Sequence, residues 1–120
     1  RDMDAQRHVN NAVIATYFES GRVHMIRTPD LEIGVAGATF VLVHTDISFL
    51  QELRWPGDLV VGSAIGRIGR SSFTVEHALF KDETCAATGT ATMVLIDRES
   101  RRPRPLPDDI VAKLSQWKRG

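Results

Sequence analysis

The sequence has 120 residues, and its 15 basic and 15 acidic side chains give a formal net charge of zero at pH 7. This length predicts one domain spanning residues 1–120, and the charge balance argues against a general nucleic-acid or membrane-surface binder. A single cysteine, Cys85, excludes a disulfide framework within this sequence, and we find no apolar run long enough to span a bilayer and no signal peptide. These features predict a cytoplasmic protein without a membrane or nucleic-acid partner.

The first predicted element is an amphipathic helix that follows an acidic and polar start. Asp2 and Asp4 precede a polar elbow over residues 6–11, in which Asn10 or Asn11 is a suitable N-cap. The apolar positions then follow the spacing of one helical face: Ile14, Tyr17, Phe18, Gly21 and Met25. A carboxylate just before a helix N-terminus, whose unpaired N–H groups carry partial positive charge, suits a reaction that develops an oxyanion. The residues alone favour a simpler role for Asp4, as a turn or capping residue, because capping acids are common.

A loop and a first strand are predicted after this helix. Pro29 marks the end of the helix, because proline disfavours helix at the residue before it. Residues 30–38 then read as a loop able to line a substrate pocket, and residues 39–50 are rich in β-branched and aromatic side chains. Strict alternation puts Val41, Val43, Thr45, Ile47 and Phe49 on one face of this strand and Phe40, Leu42, His44, Asp46 and Ser48 on the other. His44 and Asp46 are typical of a partly exposed polar half of a strand, although such a pair can also carry out chemistry.

The second half of the sequence predicts three consecutive antiparallel strands and a short terminal helix. The strands are residues 59–68, 72–81 and 85–96, joined by short turns, and the helix covers residues 107–118. Small residues on one face of the last strand (Ala87, Gly89 and Ala91) would let the first helix lie close to the sheet. Cys85 belongs to the same strand pattern, and we interpret it as a packing residue rather than a nucleophile.

The motif over residues 2–22 resembles a known signature. D-x-D-A-x-x-H-V-N-N followed by Y-F-E-x-x-R is similar to the 4-hydroxybenzoyl-CoA thioesterase-like branch of the hotdog-fold superfamily, densely in this stretch and more loosely along most of the remaining chain. The resemblance implies an α+β hotdog fold, in which an antiparallel β-sheet wraps around one long central α-helix and a short C-terminal helix follows. A strand normally precedes the motif in this family, whereas here the motif starts almost at Arg1. We therefore expect that strand to be missing from this sequence, with one sheet edge left open.

The resemblance also implies hydrolysis of an acyl-CoA thioester to a free acid and CoA. Asp4 would act as the nucleophile or as general base for water, and the backbone N–H of Asn11 would polarise the thioester carbonyl. His8 and Asn10 would orient water or hold the elbow, although capping and turn chemistry explain both residues equally well. The residues leave two alternatives open: a hotdog hydratase or dehydratase, and a non-catalytic acyl-CoA-binding subunit.

The resemblance further implies where CoA binds. The turn containing Arg70, Ser71 and Ser72 is similar to the family turn that contacts the nucleotide, and Tyr17 is the fourth candidate substrate-binding residue. A solvated hairpin tip is the alternative explanation for Arg70. The basic group Arg98, Arg101, Arg102 and Arg104 is a second, lower-ranked candidate for the CoA phosphates. The histidines lack compact metal-ligand spacing, so we expect no metal and no cofactor beyond the CoA of the substrate. The expected assembly is a homodimer or homotetramer.

Overall fold

The computed structural model describes residues 2–27, 33–51 and 58–118, and within the first of these ranges it describes the side chains of residues 12–26. Its elements are helix α1 (Asp2–Arg27), strands β1 (Ala38–Phe49), β2 (Leu59–Ile68), β3 (Ser72–Lys81) and β4 (Thr84–Asp97), and helix α2 (Asp108–Gln116). The four strands form one antiparallel sheet in the order β1-β4-β3-β2. The predicted α+β class, the antiparallel sheet and the C-terminal helix are confirmed.

Two tight turns connect the last three strands. Asp82 and Glu83, between β3 and β4, both have positive φ angles (49° and 70°), as in the type I′ turn that matches the twist of a hairpin. Between β2 and β3, the Gly69 N–H donates to the Ser72 carbonyl at 2.7 Å. The predicted bounds of β2 and β3 agree with the structure, and those of β1 and β4 differ from it by one residue at each end.

A β-bulge in β1 corrects the faces predicted for this strand. The register shifts between Leu42 and His44. Before the bulge, Phe40 contacts Phe73 edge-on with ring centroids 5.4 Å apart; after it, Ile47 also packs against buried residues. Strict alternation places Phe40 and Ile47 on opposite faces, so that prediction is wrong, because the extra residue of a bulge reverses the alternation. The exposed polar pair was predicted correctly, since His44 Nε2 and Asp46 Oδ2 lie 3.4 Å apart and both side chains are mostly exposed.

The start of α1 is also corrected. The helix begins at Asp2, so the backbone forms neither the predicted elbow over residues 6–11 nor a helix start at Asn10 or Asn11. Asparagine inside a helix costs only about 0.7 kcal/mol relative to alanine, so a suitable N-cap does not force a helix to begin. Acidic residues in the first turn, here Asp2 and Asp4, also favour the earlier start, because they complement the helix dipole.

Helix α1 packs on one face of the sheet, mainly against β2 and β3. The predicted role of the small residues in β4 is confirmed: a Cβ atom at Gly89 would lie 2.7 Å from the Phe18 ring, so the helix approaches the strand as closely as glycine allows. Ile14 and Phe18 of α1 are buried there with Leu79, Ala86 and Ala87. This packing fixes the middle of α1 over the centre of the sheet.

The other end of the sheet is covered by α2. Pro107 is its N-cap and two aspartates occupy its first turn, which suits the partial positive charge of a helix start. The apolar side of α2 packs on the sheet, with Ile110 and Leu114 buried in a second core cluster. The Trp117 carbonyl accepts a hydrogen bond from the Ile65 N–H at 2.9 Å, which ties the end of α2 to β2. Neither described helix has both the length and the hydropathy needed to cross a bilayer.

Candidate active site

A polar cluster lies buried between α1 and the sheet. Arg22 of α1 is 8% exposed and His77 of β3 is 4% exposed. Arg22 Nη1 lies 3.4 Å from His77 Nε2, and Ser63 Oγ of β2 lies 2.8 Å from His77 Nδ1. The Phe18 ring stacks on the imidazole, with centroids 5.0 Å apart and planes 12° from parallel. Helix α1 and strand β2 therefore hold the two nitrogens and one face of an imidazole that β3 carries.

Local periodicity explains why these side chains are buried. Val75 and Leu79 lie two residues before and two residues after His77 along β3, and both are fully buried. Since residues two apart in a strand share a face, His77 points to the same buried face. Arg22 lies four residues after Phe18 and three before Met25, on the buried side of α1. Sequence reasoning missed this cluster, although a charged residue on an apolar helix face and a histidine on an apolar strand face were both visible signals.

The electrostatics of the cluster favour a neutral imidazole. Burial, and secondarily the nearby Arg22 charge, lower the pKa of His77 from 6.5 to about 4. Burial also lowers the pKa of Arg22, while Glu19 opposes this effect. A serine, a histidine and a third charged group suggest a hydrolytic triad, but the third group of a triad is an anion that stabilises the imidazolium. Arg22 has the opposite sign, so His77 is a poor general base for Ser63.

His77 should make protein stability depend on pH. Its folded-state pKa lies below its unfolded value, so the unfolded chain binds this proton more tightly. The stabilisation is complete above pH 6.5 and is lost as the pH falls towards 4. We expect a loss of roughly 3 kcal/mol in the free energy of unfolding across this window, measured from urea unfolding at a series of pH values. His77→Phe should flatten this slope and His44→Phe should not; equal slopes in parent and His77→Phe would contradict the assignment.

All four predicted catalytic side chains fall outside the part of the structure in which side chains are described. Asp4, His8, Asn10 and Asn11 all belong to α1 by their backbone, but their side chains are not described. Tyr17, a predicted substrate-binding residue, is 38% exposed and directly precedes the buried Phe18.

The structure brings the two candidate phosphate sites together. The Leu106 N–H donates to the Arg70 carbonyl at 2.8 Å, so the β2–β3 turn lies against the segment that follows β4. Arg70 is exposed, whereas Ser71 and Ser72 are half-buried. The Arg104 N–H also donates to the Leu95 carbonyl, and the Leu95 N–H to the Ser71 carbonyl, so Arg70 and the basic segment over residues 98–104 lie at the same end of the sheet, called here the positively charged edge.

Two arginines of this positively charged edge make polar contacts within the protein itself. The Arg98 side chain donates to the Ala38 carbonyl, and Arg104 donates to the Ala36 carbonyl and lies 3.7 Å from Asp97. Hydrogen bonds, chiefly from Ser100 and also from Glu99, lower the pKa of Asp97, which keeps this carboxylate charged. Arg101 and Arg102 are exposed, so with Arg70 they are the side chains best placed for a soluble anion.

An open groove of about 510 Å³ crosses β2, β3 and β4. Six of its nine lining residues lie at strand positions that alternate with the buried ones: Gly62, Ala64, Glu76, Ala78, Thr88 and Thr90. The groove therefore opens mainly on the sheet face away from α1. In the part of the chain that the structure describes, no group of three or more His, Cys, Asp or Glu side chains could hold a metal ion.

Solved structures similar to this chain include two thioesterases whose sequence identity to it exceeds 25%. A predicted thioesterase from Bacillus stearothermophilus is 28% identical, with a TM-score of 0.76 over 92% of this chain and 84% of the other. A thioesterase from Thermus thermophilus, complexed with coenzyme A and zinc, is 29% identical, with a TM-score of 0.74 over 89% of this chain and 78% of the other.

A more distant structure agrees in fold. A thioesterase superfamily protein from Jannaschia sp. CCS1 is 24% identical, with a TM-score of 0.73 over 88% of this chain and 69% of the other. The search of curated proteins gave no significant match. The profile of the thioesterase-like superfamily matches residues 1–114, nearly the whole sequence. This chain therefore belongs to the thioesterase-like superfamily.

Proposed function

We propose that this protein is an acyl-CoA thioesterase of the 4-hydroxybenzoyl-CoA thioesterase-like branch, with the hotdog arrangement around α1. The observation that carries the proposal is the family match over residues 1–114, which includes the Asp4 motif. The bound coenzyme A of the similar Thermus thermophilus thioesterase supports a CoA thioester as the substrate class. The reaction would yield a free acid and CoA, without a cofactor of its own.

Asp4 can supply the oxygen chemistry by either of two routes. As a nucleophile, its carboxylate attacks the thioester carbonyl carbon, the C–S bond breaks, and the CoA thiolate leaves and takes up a proton. Water then cleaves the resulting mixed anhydride to release the acid. As a general base, Asp4 instead takes a proton from water as the water oxygen attacks the same carbon; the C–S bond then breaks, and the CoA thiolate leaves and takes up that proton. In both routes His8 and Asn10 would orient the water.

The proposed carbonyl donor, the Asn11 N–H, requires a free helix end. Inside the continuous helix from Asp2 to Arg27, this N–H is directed at the carbonyl four residues earlier. It can polarise the thioester only in a conformation whose helix starts at Asn10 or Asn11, where the first amides are unpaired. We therefore propose that substrate binds to a form of the protein in which residues before Asn10 leave the helix.

The positively charged edge is the proposed site for the CoA phosphates. A guanidinium binds phosphate oxygens in a forked geometry, and Arg70 is exposed at the tip of the β2–β3 turn. Ser71 and Ser72 would add hydroxyl hydrogen bonds, and Arg101 and Arg102 would extend the charge. Tyr17 is proposed to contact the acyl part of the substrate.

Arg70→Ala should weaken the binding of CoA and acyl-CoA. We expect a loss of roughly 1.5–3 kcal/mol, the scale of a charge-assisted hydrogen bond, measured by calorimetry with CoA. Arg70→Lys should lose part of this affinity, because it keeps the charge but not the fork. A short acyl thioester without the nucleotide should be hydrolysed equally by Arg70→Ala and the parent. Equal losses of hydrolysis on acyl-CoA and on the short thioester would instead mean that Arg70 contributes to folding or to the acyl pocket.

A panel of acyl-CoAs tests the reaction itself. Aliphatic, branched and aromatic acyl-CoAs would be incubated with the protein, with free thiol followed in one assay and enoyl absorbance in the other. Thiol release is the expected result. A change in enoyl absorbance without thiol would indicate a hydratase, and binding without turnover would indicate an acyl-CoA-binding subunit.

We also propose a homodimer or a dimer of dimers. Large apolar side chains at and just beyond the edge strand β1 are 45% to 58% exposed: Leu42, Val43, Phe49 and Leu50. An apolar sheet edge of this kind is a natural surface for pairing with a second chain. Sedimentation at working concentration should show an even-numbered oligomer, and an active monomer would exclude this assembly.

A further inference from the structure

The buried cluster of Arg22, His77 and Ser63 has a defined direction of hydrogen bonding. An arginine side chain can only donate, so the His77 Nε2 atom that faces Arg22 Nη1 must accept. In a neutral imidazole the proton then lies on Nδ1, from which it is donated to Ser63 Oγ. These two hydrogen bonds therefore link α1 to β3 and β3 to β2, and together they require one tautomer of His77.

Close packing of α1 on the sheet also holds the same imidazole in place. Phe18 lies one turn before Arg22 and covers the ring face, while the Phe18 ring itself meets Gly89. A Cβ atom at Gly21 would lie 2.9 Å from Ser63 Oγ, so the helix is as close to β2 as it is to β4. Sliding α1 by a single residue, about 1.5 Å, would break the hydrogen bond and the stacking together.

The position of α1 matters because the proposed carbonyl donor, the Asn11 N–H, lies in this helix and would stand at its start in the proposed substrate-binding form, directly after the segment that carries Asp4. Asn11, which ends the D-x-D-A-x-x-H-V-N-N part of the motif, precedes Arg22 by eleven residues, or about 16 Å of helix. If α1 tilted by about 5° about the cluster, Asn11 would move by roughly 1.4 Å, because it lies at the end of this length of helix. A displacement of about 1 Å at a reacting group can cost on the order of 100-fold in rate.

We propose that His77 is a positioning residue, which sets the place of α1 on the sheet through Arg22, Ser63 and Phe18 and thereby aligns the Asp4 motif for catalysis. The catalytic part of this proposal rests on the proposed thioesterase function. The positioning part rests on the geometry of the cluster alone. Around the imidazole, the described charged groups are Arg22 and, one turn earlier on the same helix, Glu19, while β2 and β4 present Ser63 and Gly89.

The tautomer is the first test, and it needs no substrate. Long-range ¹H–¹⁵N spectra of the intact protein at pH 7 should show His77 as the neutral Nδ1–H form. The exposed His44 is the internal reference. A His77 ring with its proton on Nε2, or one protonated at pH 7, would overturn the proposal.

Paired variants provide the second test. His77→Phe keeps an aromatic ring against Phe18 but leaves Arg22 without its acceptor, so it is expected to lower the melting temperature. The double variant His77→Phe/Arg22→Leu removes both polar partners and should recover much of that loss. Its α1 amide signals over residues 4–11 should nevertheless be shifted from those of the parent. His44→Phe is the matched control and should leave these signals unchanged.

Kinetics of the folded double variant complete the test. We expect kcat to fall by about 10-fold or more while KM for acyl-CoA changes little, because alignment acts on the transition state. The single variant His77→Asn keeps Arg22 and has a side chain that can supply one donor and one acceptor. Its kcat should lie between those of the double variant and the parent. A folded double variant with parental kcat and unshifted α1 signals would refute the positioning role. A parent without acyl-CoA hydrolysis would refute the proposed function, while the tautomer and the α1 signals would still decide the positioning.

Discussion

Asp4→Asn is expected to lower kcat for acyl-CoA hydrolysis by at least about 100-fold, the low end of what a positioned general base contributes. The change keeps the size of the side chain but removes the charge and basicity needed to attack the carbonyl or to accept a proton from water. Affinity for acyl-CoA should change little, because the proposed phosphate contacts are at Arg70, Arg101 and Arg102. A loss confined to kcat means that the missing interaction belongs to the transition state.

The fold should survive this substitution. Asp4 lies in the first turn of α1, where loss of a negative charge costs roughly 0.3–1 kcal/mol. Asp2→Asn is the matched control, since it removes a carboxylate from the same helical turn and should hydrolyse acyl-CoA at near the parental rate. The measurements are kcat and Kd on the best acyl-CoA, with circular dichroism as a check on folding. If folded Asp4→Asn protein retains near-parental activity, Asp4 has no part in the mechanism.

Phe73→Ala is expected to have the largest effect on stability. Phe73 is 1% exposed and packs edge-on against Phe40 in the cluster beneath α2. Removing a buried phenyl group loses its transfer free energy and leaves a cavity, which together cost about 3–5 kcal/mol. For a domain of this size, that loss is a large share of a total stability of about 5–15 kcal/mol.

Phe80→Ala provides a control on the same strand. Phe80 is 36% exposed, so the same chemical change there removes less buried surface and should cost clearly less than Phe73→Ala. Both variants would be compared with the parent by urea unfolding, because the midpoint reports stability when the slope is unchanged. Equal costs at the two positions would mean that the core is not organised around Phe73 as the structure has it.

The sequence alone predicted the regular elements well. Alternation along residues 59–68 and 72–81 gave the bounds of β2 and β3, because strand periodicity is a local property of the chain. The small side chain of Gly89 correctly indicated close approach of α1 to β4. The motif around Asp4 indicated the thioesterase class, which the family match supports. Its proposed catalytic roles remain predictions.

Local patterns gave less reliable helix and strand details. The bulge after Leu42 reversed the faces of β1, since pairing with β4 and not the sequence of β1 sets where the register shifts. The Asn10–Asn11 pair favoured a helix start that the structure does not have, because a cap contributes too little to outweigh a helix that continues through it.

Tertiary structure decided how distant residues meet. His77 is 14 residues from Ser63 and 55 from Arg22 in the sequence, and no local period links the three. They meet because the register of β2 on β3 places Ser63 opposite His77, and because Phe18 and Gly89 bring α1 down onto that point. The Arg70 turn lies at the same end of the sheet as the basic segment for the same kind of reason, through the backbone bond from Leu106, two residues after that segment, to Arg70. Composition and spacing determined which groups this chain carries, whereas packing of the helix on the sheet determined which of them could act together.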